Sequence, residues 1–463
     1  MEGGARGSRP DAMFILLSSL SVPAAWQSAC HKTLASRFFS RPLAWAVAFM
    51  AAGTAWAQHQ SEIPDTRKSY SPVTREQVTH LVSLGASRWQ ALGWRGQGVR
   101  VAILDTGFRG YRQFLGGALP SQVICKSFRA DRNLEARDSQ HGILCAEVVH
   151  ALAPEAVLLF ANWEADQPEQ FLDAVRWARQ ENARVMTCSI IMPSWSDGEG
   201  RGKVDDSLAE ILGTGSSPRD PLFAACAGNT AQRHWQGRFV AAADGCHEWA
   251  RGCTQNLLYP WSREKVSVDL YSHSSATYEV LIENAGSGRR VGLATFGREP
   301  NHSWTVVRFE PEEHALYEVR VRLKEGPPGH FHVAVLGGDL GCSVAAGSVA
   351  CPADCFNVLA IGAVDLNGQR FAYSSCGSCG HVCKPDLVAP VPFPTRCRER
   401  PFSGTSAAAP QGAGLAALCW SKHPEWNANQ VRSFLLHSAH DVGTPGPDSE
   451  TGLGMLVLPP CPP

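Results

Sequence analysis

Phe402-Ser403-Gly404-Thr405-Ser406-Ala407-Ala408-Ala409-Pro410, with the small-residue run that continues to Ala417, decides how the rest of the chain is read. The glycine ahead of the serine lets backbone approach closely, and the alanines behind it suit a helix that starts at the serine and is buried against its neighbours. Ser406 Oγ then stands at the positive end of a helix, beside an amide N–H. A hydroxyl so placed can attack a carbonyl and hold the resulting oxyanion. The same pattern also describes a serine N-cap on a buried alanine-rich helix. The choice depends on whether the chain supplies a base, an orienting acid and an oxyanion donor.

The chain has 463 residues, 44% of them hydrophobic, enough for a large core and more than one domain. Its 42 basic and 43 acidic side chains balance, which removes the electrostatic case for nucleic acid or a membrane surface as partner. Sixteen cysteines point to an oxidising compartment and to disulfides. Residues 43–57, LAWAVAFMAAGTAWA, form an apolar run behind Arg37 and Arg41 and end in Ala55-Trp56-Ala57, the pattern of a secretory signal with its cleavage site. The run is short for a membrane span and polar Gln58-His59-Gln60 follows, so cleavage after Ala57 leaves no stable membrane insertion. An uncleaved N-terminal anchor is the other reading. Cleavage removes Cys30 and leaves an odd number of cysteines, so at least one thiol is unpaired or pairs between chains.

Residues 58–84 read as a short N-terminal segment, polar at first and then helical over 74–84 with apolar Val78, Leu81 and Val82. From 85 to 234 strand and helix patterns alternate, which implies right-handed crossovers and a parallel sheet. Residues 99–104 form a buried strand with Asp105 at its C-terminal end, the edge where open α/β sheets bind ligands. Asp105 either orients a histidine or serves a turn. His141 opens a helix with Leu144, Val148 and Leu152 inward. One of its ring nitrogens can face Asp105 while the other takes a proton. Cys145 follows one turn later on the same face. A strand over 156–161, a helix over 169–181 and a strand over 183–191 come next, and a strand over 221–227 ends in Gly228-Asn229. The Asn229 amide can donate to an oxyanion, or the pair can simply mark a turn.

Between 235 and 342 the period changes to short alternating runs, as in Tyr317-Glu318-Val319-Arg320-Val321. Their number and spacing predict an all-β sandwich inserted in the α/β domain. Trp304, Tyr271 and Tyr278 are either its core or contact residues. The α/β pattern resumes over 343–463, with a strand over 356–364 and a last helix over 427–438.

Four pieces thus occur in one order: an Asp after a strand, a His opening a helix, an Asn after a strand and a Ser opening a helix. Asp before His before Ser is the subtilisin order. The chain resembles the subtilisin-like serine proteases through VAILDTG at Asp105, HG at His141, AGN at Asn229 and GTSAAAP at Ser406. The likeness covers about 85–230 and 343–456. It implies an α/β, subtilisin-like fold and a secreted serine endopeptidase acting on protein or peptide substrates. Ser406 is then nucleophile, His141 base, Asp105 orienter and Asn229 oxyanion donor.

Departures accompany the likeness. Ile143 stands where the family has threonine after HG. The substrate-pairing strand carries Ser189-Ile190-Ile191 in place of Ser-Leu-Gly, so Ile191 narrows or reshapes the specificity pocket. The segment before Asp105 is short for the usual inhibitory propeptide. Cys145 matches a cysteine that one branch of the family carries beneath the histidine. Cys351, Cys355, Cys376, Cys379 and Cys383 form disulfides or bind zinc. No cofactor enters the implied chemistry. Structural calcium supports many subtilases, and no acidic loop has a spacing that identifies a site. A catalytically silent subtilase-like binding protein that uses its β-sandwich is the alternative function. Nothing in the sequence sets an oligomeric state.

Overall fold

Val101-Ala102-Ile103-Leu104 is apolar on both faces, and such a strand is at home only in the middle of a covered sheet. The computed structural model describes residues 74–262, 264–377 and 384–460, and the run is there the body of a fully covered strand, β1 (Arg100–Leu104). Two helices precede it, α1 (Arg75–Ser83) and α2 (Ala86–Ala91). After it come β2 (Ile124–Ser127), α3 (His141–Leu152), β3 (Val157–Asn162), α4 (Pro168–Gln180), β4 (Val185–Cys188), α5 (Lys203–Leu212) and β5 (Leu222–Cys226). An all-β segment follows, with β6 (His234–Arg238), β7 (Asn256–Pro260), β8 (Val266–Ser272), β9 (Thr277–Asn284), β10 (Arg290–Val291), β11 (Leu293–Glu299), β12 (His302–Phe309), β13 (Tyr317–Glu325), β14 (His330–Leu336) and β15 (Gly338–Leu340). The chain then returns with β16 (Val358–Val364), β17 (Leu387–Pro390), α6 (Thr405–Lys422) and α7 (Ala428–Ser438).

Seven strands pair in parallel in the order β17-β16-β5-β4-β1-β3-β2. The direction of winding reverses beside β1, and the C-terminal strand ends at such a reversal are where ligands bind. Asp105 directly follows β1 at that edge, and Ser189 directly follows the neighbouring β4. Alternate residues of β1 feed two cores. Val101 and Ile103 join the core packed by α3 and α6, while Ala102 and Leu104 join the one packed by α4 and α5. Small residues set the spacing of α3 and α6, since a Cβ on Gly414 would stand 2.6 Å from Leu152 Cβ. The two helices therefore bring their first residues to one place, His141 from α3 and Ser406 from α6.

The all-β segment folds as two antiparallel five-stranded sheets, β10-β9-β13-β7-β15 and β11-β12-β8-β14-β6. Alternation on β13 shows why they pack face to face: Tyr317, Val319 and Val321 enter the shared core while Glu318, Arg320 and Arg322 point outward. Tyr271 and Tyr278 are buried, whereas Trp304 is partly covered and packs its ring 4.9 Å from that of His302. The architecture is the α/β sheet with an inserted sandwich that the sequence predicts.

Several local expectations change. On α1 the apolar Val78 and Val82 are exposed, and the buried side is Gln77, His80 and Leu81. A tertiary partner explains the inversion: His80 Nε2 bonds Gln411 Oε1 at 3.1 Å and its ring meets Phe393 edge-on. The strand expected over 183–191 stops at Cys188, because the backbone beyond it leaves the sheet and Met192 N–H bonds the Cys351 carbonyl. No disulfide joins two of the described cysteines. Cys188, Cys351 and Cys355 are free thiols in one core and Cys145, Cys397 and Cys419 in the other, each packed as a small hydrophobe. Cys376 is likewise free and donates to the Ala345 carbonyl at 3.2 Å, while Cys379 and Cys383 lie outside the described residues. The signal-like run at 43–57 also lies outside them. Among the described residues no helix is long and apolar enough to cross a membrane.

Candidate active site

Asp105 is fully buried at the end of β1, where an unpaired carboxylate would be costly. Both of its oxygens have partners: Gly107 N–H donates to Oδ1 at 3.0 Å, and His141 Nδ1–H donates to Oδ2 at 2.6 Å. The close approach needs Gly142, since a Cβ there would lie 2.8 Å from Asp105 Cβ and 2.6 Å from the Phe108 ring. The imidazole is otherwise held by its own backbone, whose N–H bonds Ser139 Oγ at 3.2 Å, and by an edge contact with Phe402 at 5.5 Å. With Nδ1 occupied by the carboxylate, Nε2 is the nitrogen left to accept a proton.

Ser406 is the second residue of α6, and Gly404 occupies the N-cap without a side-chain bond, so the serine is no cap. Its hydroxyl donates to the Ser189 carbonyl at 3.3 Å, and Ser189 Oγ donates in return to the Ser406 carbonyl at 3.0 Å. The imidazole is not its partner in this structure. Cys145 Sγ fixes the neighbourhood nonetheless, lying 4.0 Å from His141 Nδ1, 3.8 Å from Asp105 Oδ2 and 3.7 Å from the Ser406 carbonyl. Burial, reinforced by Asp105, pushes the Cys145 thiol well up, so it stays protonated and unreactive.

Asn229 follows β5 at the same sheet edge. Thr405 holds it, donating from its N–H at 3.0 Å and from its hydroxyl at 2.9 Å to Asn229 Oδ1. Those two bonds fix which way the amide points and leave Nδ2 as the donor on the open side. Gly404, at φ +80°, makes room, because a Cβ there would sit 2.9 Å from Nδ2. The Ser406 N–H belongs to the first turn of α6, whose amides have no partner within the helix. Thr405 is the residue that sequence reasoning missed; its place between the glycine and the serine was the available signal.

Ser189, Ile190 and Ile191 run past the end of β4 beside this group. Ile191 covers the backbone next to Asn229: its Cδ1 and Cγ2 would be 3.6 Å from a Cβ on Gly228. Two described groups have metal-like spacing, Asp105-His141-Cys145 and Asp205-Cys351-Asp354. In the first, the carboxylate and Nδ1 are already spent on each other. The predicted Asp105, His141, Asn229, Ser189, Ile191 and Ser406 are thus gathered at one edge, with the Asp–His contact made and the His–Ser contact not made.

A model of the subtilase family matches residues 301–454. Subtilisin DY of Bacillus licheniformis is 36% identical over 111 residues, which are 24% of this chain and 40% of that protein. A subtilisin of Bacillus pumilus is 38% identical over 112 residues, again 24% and 40% of the two chains. The matched stretch is thus well under half of these relatives. The solved structure of the Clostridium perfringens CspB protease superposes over 82% of this chain and 95% of its own, with a TM-score of 0.57 at 14% identity. At that identity the likeness speaks for the fold. Over residues 301–454 the chain is thus similar to the subtilase family, over a stretch of 111 residues to the subtilisins, and in fold to a protease of known structure.

Proposed function

We propose that the chain is a secreted serine endopeptidase that cleaves peptide bonds through an acyl-enzyme on Ser406. The observation that carries the reading is the 2.6 Å bond from His141 Nδ1 to buried Asp105 at the edge where α6 presents Ser406. In this cycle the Ser406 hydroxyl turns from the Ser189 carbonyl toward His141 Nε2, a motion that substrate binding can drive, since such contacts often tighten only in the loaded enzyme. Oγ attacks the scissile carbonyl as its proton passes to Nε2, and Asp105 stabilises the imidazolium. The oxyanion receives the Ser406 N–H and Asn229 Nδ2. The C–N bond then breaks as Nε2–H protonates the leaving amine, and water hydrolyses the ester with the same base. Substrate backbone lies along residues 189–191, past the last ladder pair of β4, with Ile191 limiting the side chain that fits beside Gly228.

A fluorophosphonate probe tests the reading. Wild-type protein is expected to take one covalent label on the Ser406 peptide, and Ser406→Ala and His141→Ala none. A folded wild type without label would bring forward the second reading, a catalytically silent binding protein, which the position of Ile191 over Gly228 favours. Export rests on residues 43–57, and sequencing of the mature N-terminus is expected to begin at Gln58; any other first residue overturns that cleavage site.

A further inference from the structure

Away from the Ser406 edge, α5 and the turn at 351–355 enclose Asp205, Asp354 and Cys351, with three carboxylate oxygens that have no hydrogen-bond partner in the protein. Asp205 is 2% exposed, and neither of its carboxylate oxygens has a hydrogen-bond partner in the protein. Asp354 is 5% exposed; it takes the Ser196 hydroxyl proton on Oδ2 and leaves Oδ1 unpartnered. Ser196 has only that one proton to give, and its oxygen in turn accepts from Gly198 N–H at 3.0 Å. Cys351, fully buried, completes the group, and one donor atom from each of the three lies within 4.8 Å of the others. Among the described residues neither carboxylate has an ion-pair partner. Lys384, a buried cation of the same domain, is committed to Asp386 Oδ2 at 2.8 Å and to the Val358 carbonyl. Beside the group Tyr271 is 1% exposed with an unpartnered hydroxyl, its ring against the Gly198 backbone.

Two adjacent buried carboxylates without an ion-pair partner are among the most expensive arrangements a protein can hold. A bound cation removes that cost. The donor set also selects the ion: calcium needs six or more oxygens, whereas a thiolate with two carboxylates suits the zinc class. We propose that Asp205, Asp354 and Cys351 form a buried zinc-class site that clamps α5 to the 351–355 turn and braces the 192–198 segment. Binding replaces the Cys351 S–H bond with an S–metal bond and releases the proton to solvent. The segment so braced is continuous with Ser189–Ile191: Met192 N–H bonds the Cys351 carbonyl at 2.8 Å and Ser196 bonds Asp354. At its far end Asp197 pairs with His273 of the sandwich at 2.5 Å. The ion therefore supports both the substrate-side strand and the seat of the inserted sandwich.

The test uses the full chain, equilibrated with Zn²⁺, desalted and analysed for bound metal, with Co²⁺ as a spectroscopic substitute. Wild type is expected to hold about one more equivalent than either Asp205→Asn or Cys351→Ser. It should also melt higher with Zn²⁺ than after chelation, and show a cobalt–thiolate charge-transfer band that Cys351→Ser removes. Should Asp205→Asn fail to fold, Cys351→Ser keeps both carboxylates and carries the comparison. Equal metal content in wild type and the folded variants, or no Zn²⁺-dependent rise in melting temperature, overturns the proposal and leaves a proton shared between the two carboxyl groups. Fluorophosphonate labelling of Ser406 reads the catalytic proposal separately, because the probe meets none of these three residues.

Discussion

Buried polar groups are treated in opposite ways at the Ser406 edge and at the junction with the sandwich. At the edge, Asp105 has a donor on each oxygen, Asn229 Oδ1 has two, and Ser189 and Ser406 exchange hydroxyl bonds. At the junction, Asp205 Oδ1 and Oδ2, Asp354 Oδ1, Tyr271 OH and both nitrogens of His302 have no hydrogen-bond partner. A satisfied network holds its members in one geometry, which is what proton transfer and oxyanion binding require. An unsatisfied one marks where something other than protein belongs. The two regions share the 189–198 segment, so each can be disturbed through the other.

The sharpest way to break this contrast is to remove the hydroxyl of Ser406, the proposed nucleophile. Ser406→Ala is expected to lower kcat on the order of 10⁶-fold, the scale such a loss has in a subtilisin. Asp105→Asn should cost on the order of 10⁴-fold by turning the imidazole to the wrong tautomer. Peptide hydrolysis with an unchanged melting temperature is the readout, and retention of more than a small fraction of activity in Ser406→Ala would remove that serine from the chemistry. Asn229→Ala comes next, at about 10²–10³ in kcat with KM little changed, because in the proposed cycle its amide would meet charge that develops only in the transition state. A rise in KM alone would instead make Asn229 a ground-state contact.

The groups of the edge were legible in the sequence because each sits at an element boundary with its own local signal: Asp105 after an apolar run, His141 and Ser406 opening helices, Gly404 ahead of the serine. The sheet was legible through period, and the sandwich through the switch from one period to another. The junction was not. Asp205 stands in the first turn of α5, where an acidic residue is ordinary. Asp354 lies in a turn, where aspartate is equally ordinary. Only the fold brings them within reach of Cys351. The buried His80 face of α1 was hidden for the same reason, since apolar spacing cannot report a polar partner such as Gln411 supplied from α6.

Acid should separate the two regions next. In the sandwich, His234 donates from Nδ1 to the Val344 carbonyl at 2.8 Å and accepts at Nε2 from His332 Nδ1–H at 3.0 Å. His330 and the ring of Tyr271 also face His332. Burial holds His234 down to about 4, with His330 adding to the effect, and burial with both neighbouring histidines holds His332 well below its ordinary value. The unfolded imidazoles titrate near 6.5, so between that pH and 4 the unfolded chain binds more protons and stability falls as pH falls. For His234 alone the loss is about 2 kcal/mol by pH 5. Urea unfolding at pH 7 and pH 5 checks this, with His234→Gln expected to flatten the difference. An equal slope in the variant would assign the acid sensitivity elsewhere.

Ile191→Gly is the mildest change and the one that probes the shared segment directly. Its side chain lies against Gly228, next to Asn229, so in the proposed cycle it takes up space that a substrate side chain next to the scissile bond would otherwise fill. Removing it should leave labelling of Ser406 intact and raise kcat/KM for large aromatic side chains over small ones by roughly 10–200-fold, the range open to one apolar pocket contact. The glycine also loosens the backbone between Ser189 and Met192. If that looseness rather than volume governs the site, substrates of every size lose kcat together, and Ile191→Ala, which frees volume with less backbone freedom, restores the rate without the glycine's cost. A pocket effect predicts the reverse pattern in the alanine variant, a partial gain confined to large side chains, so the ratio of large to small substrates across the two variants decides between them.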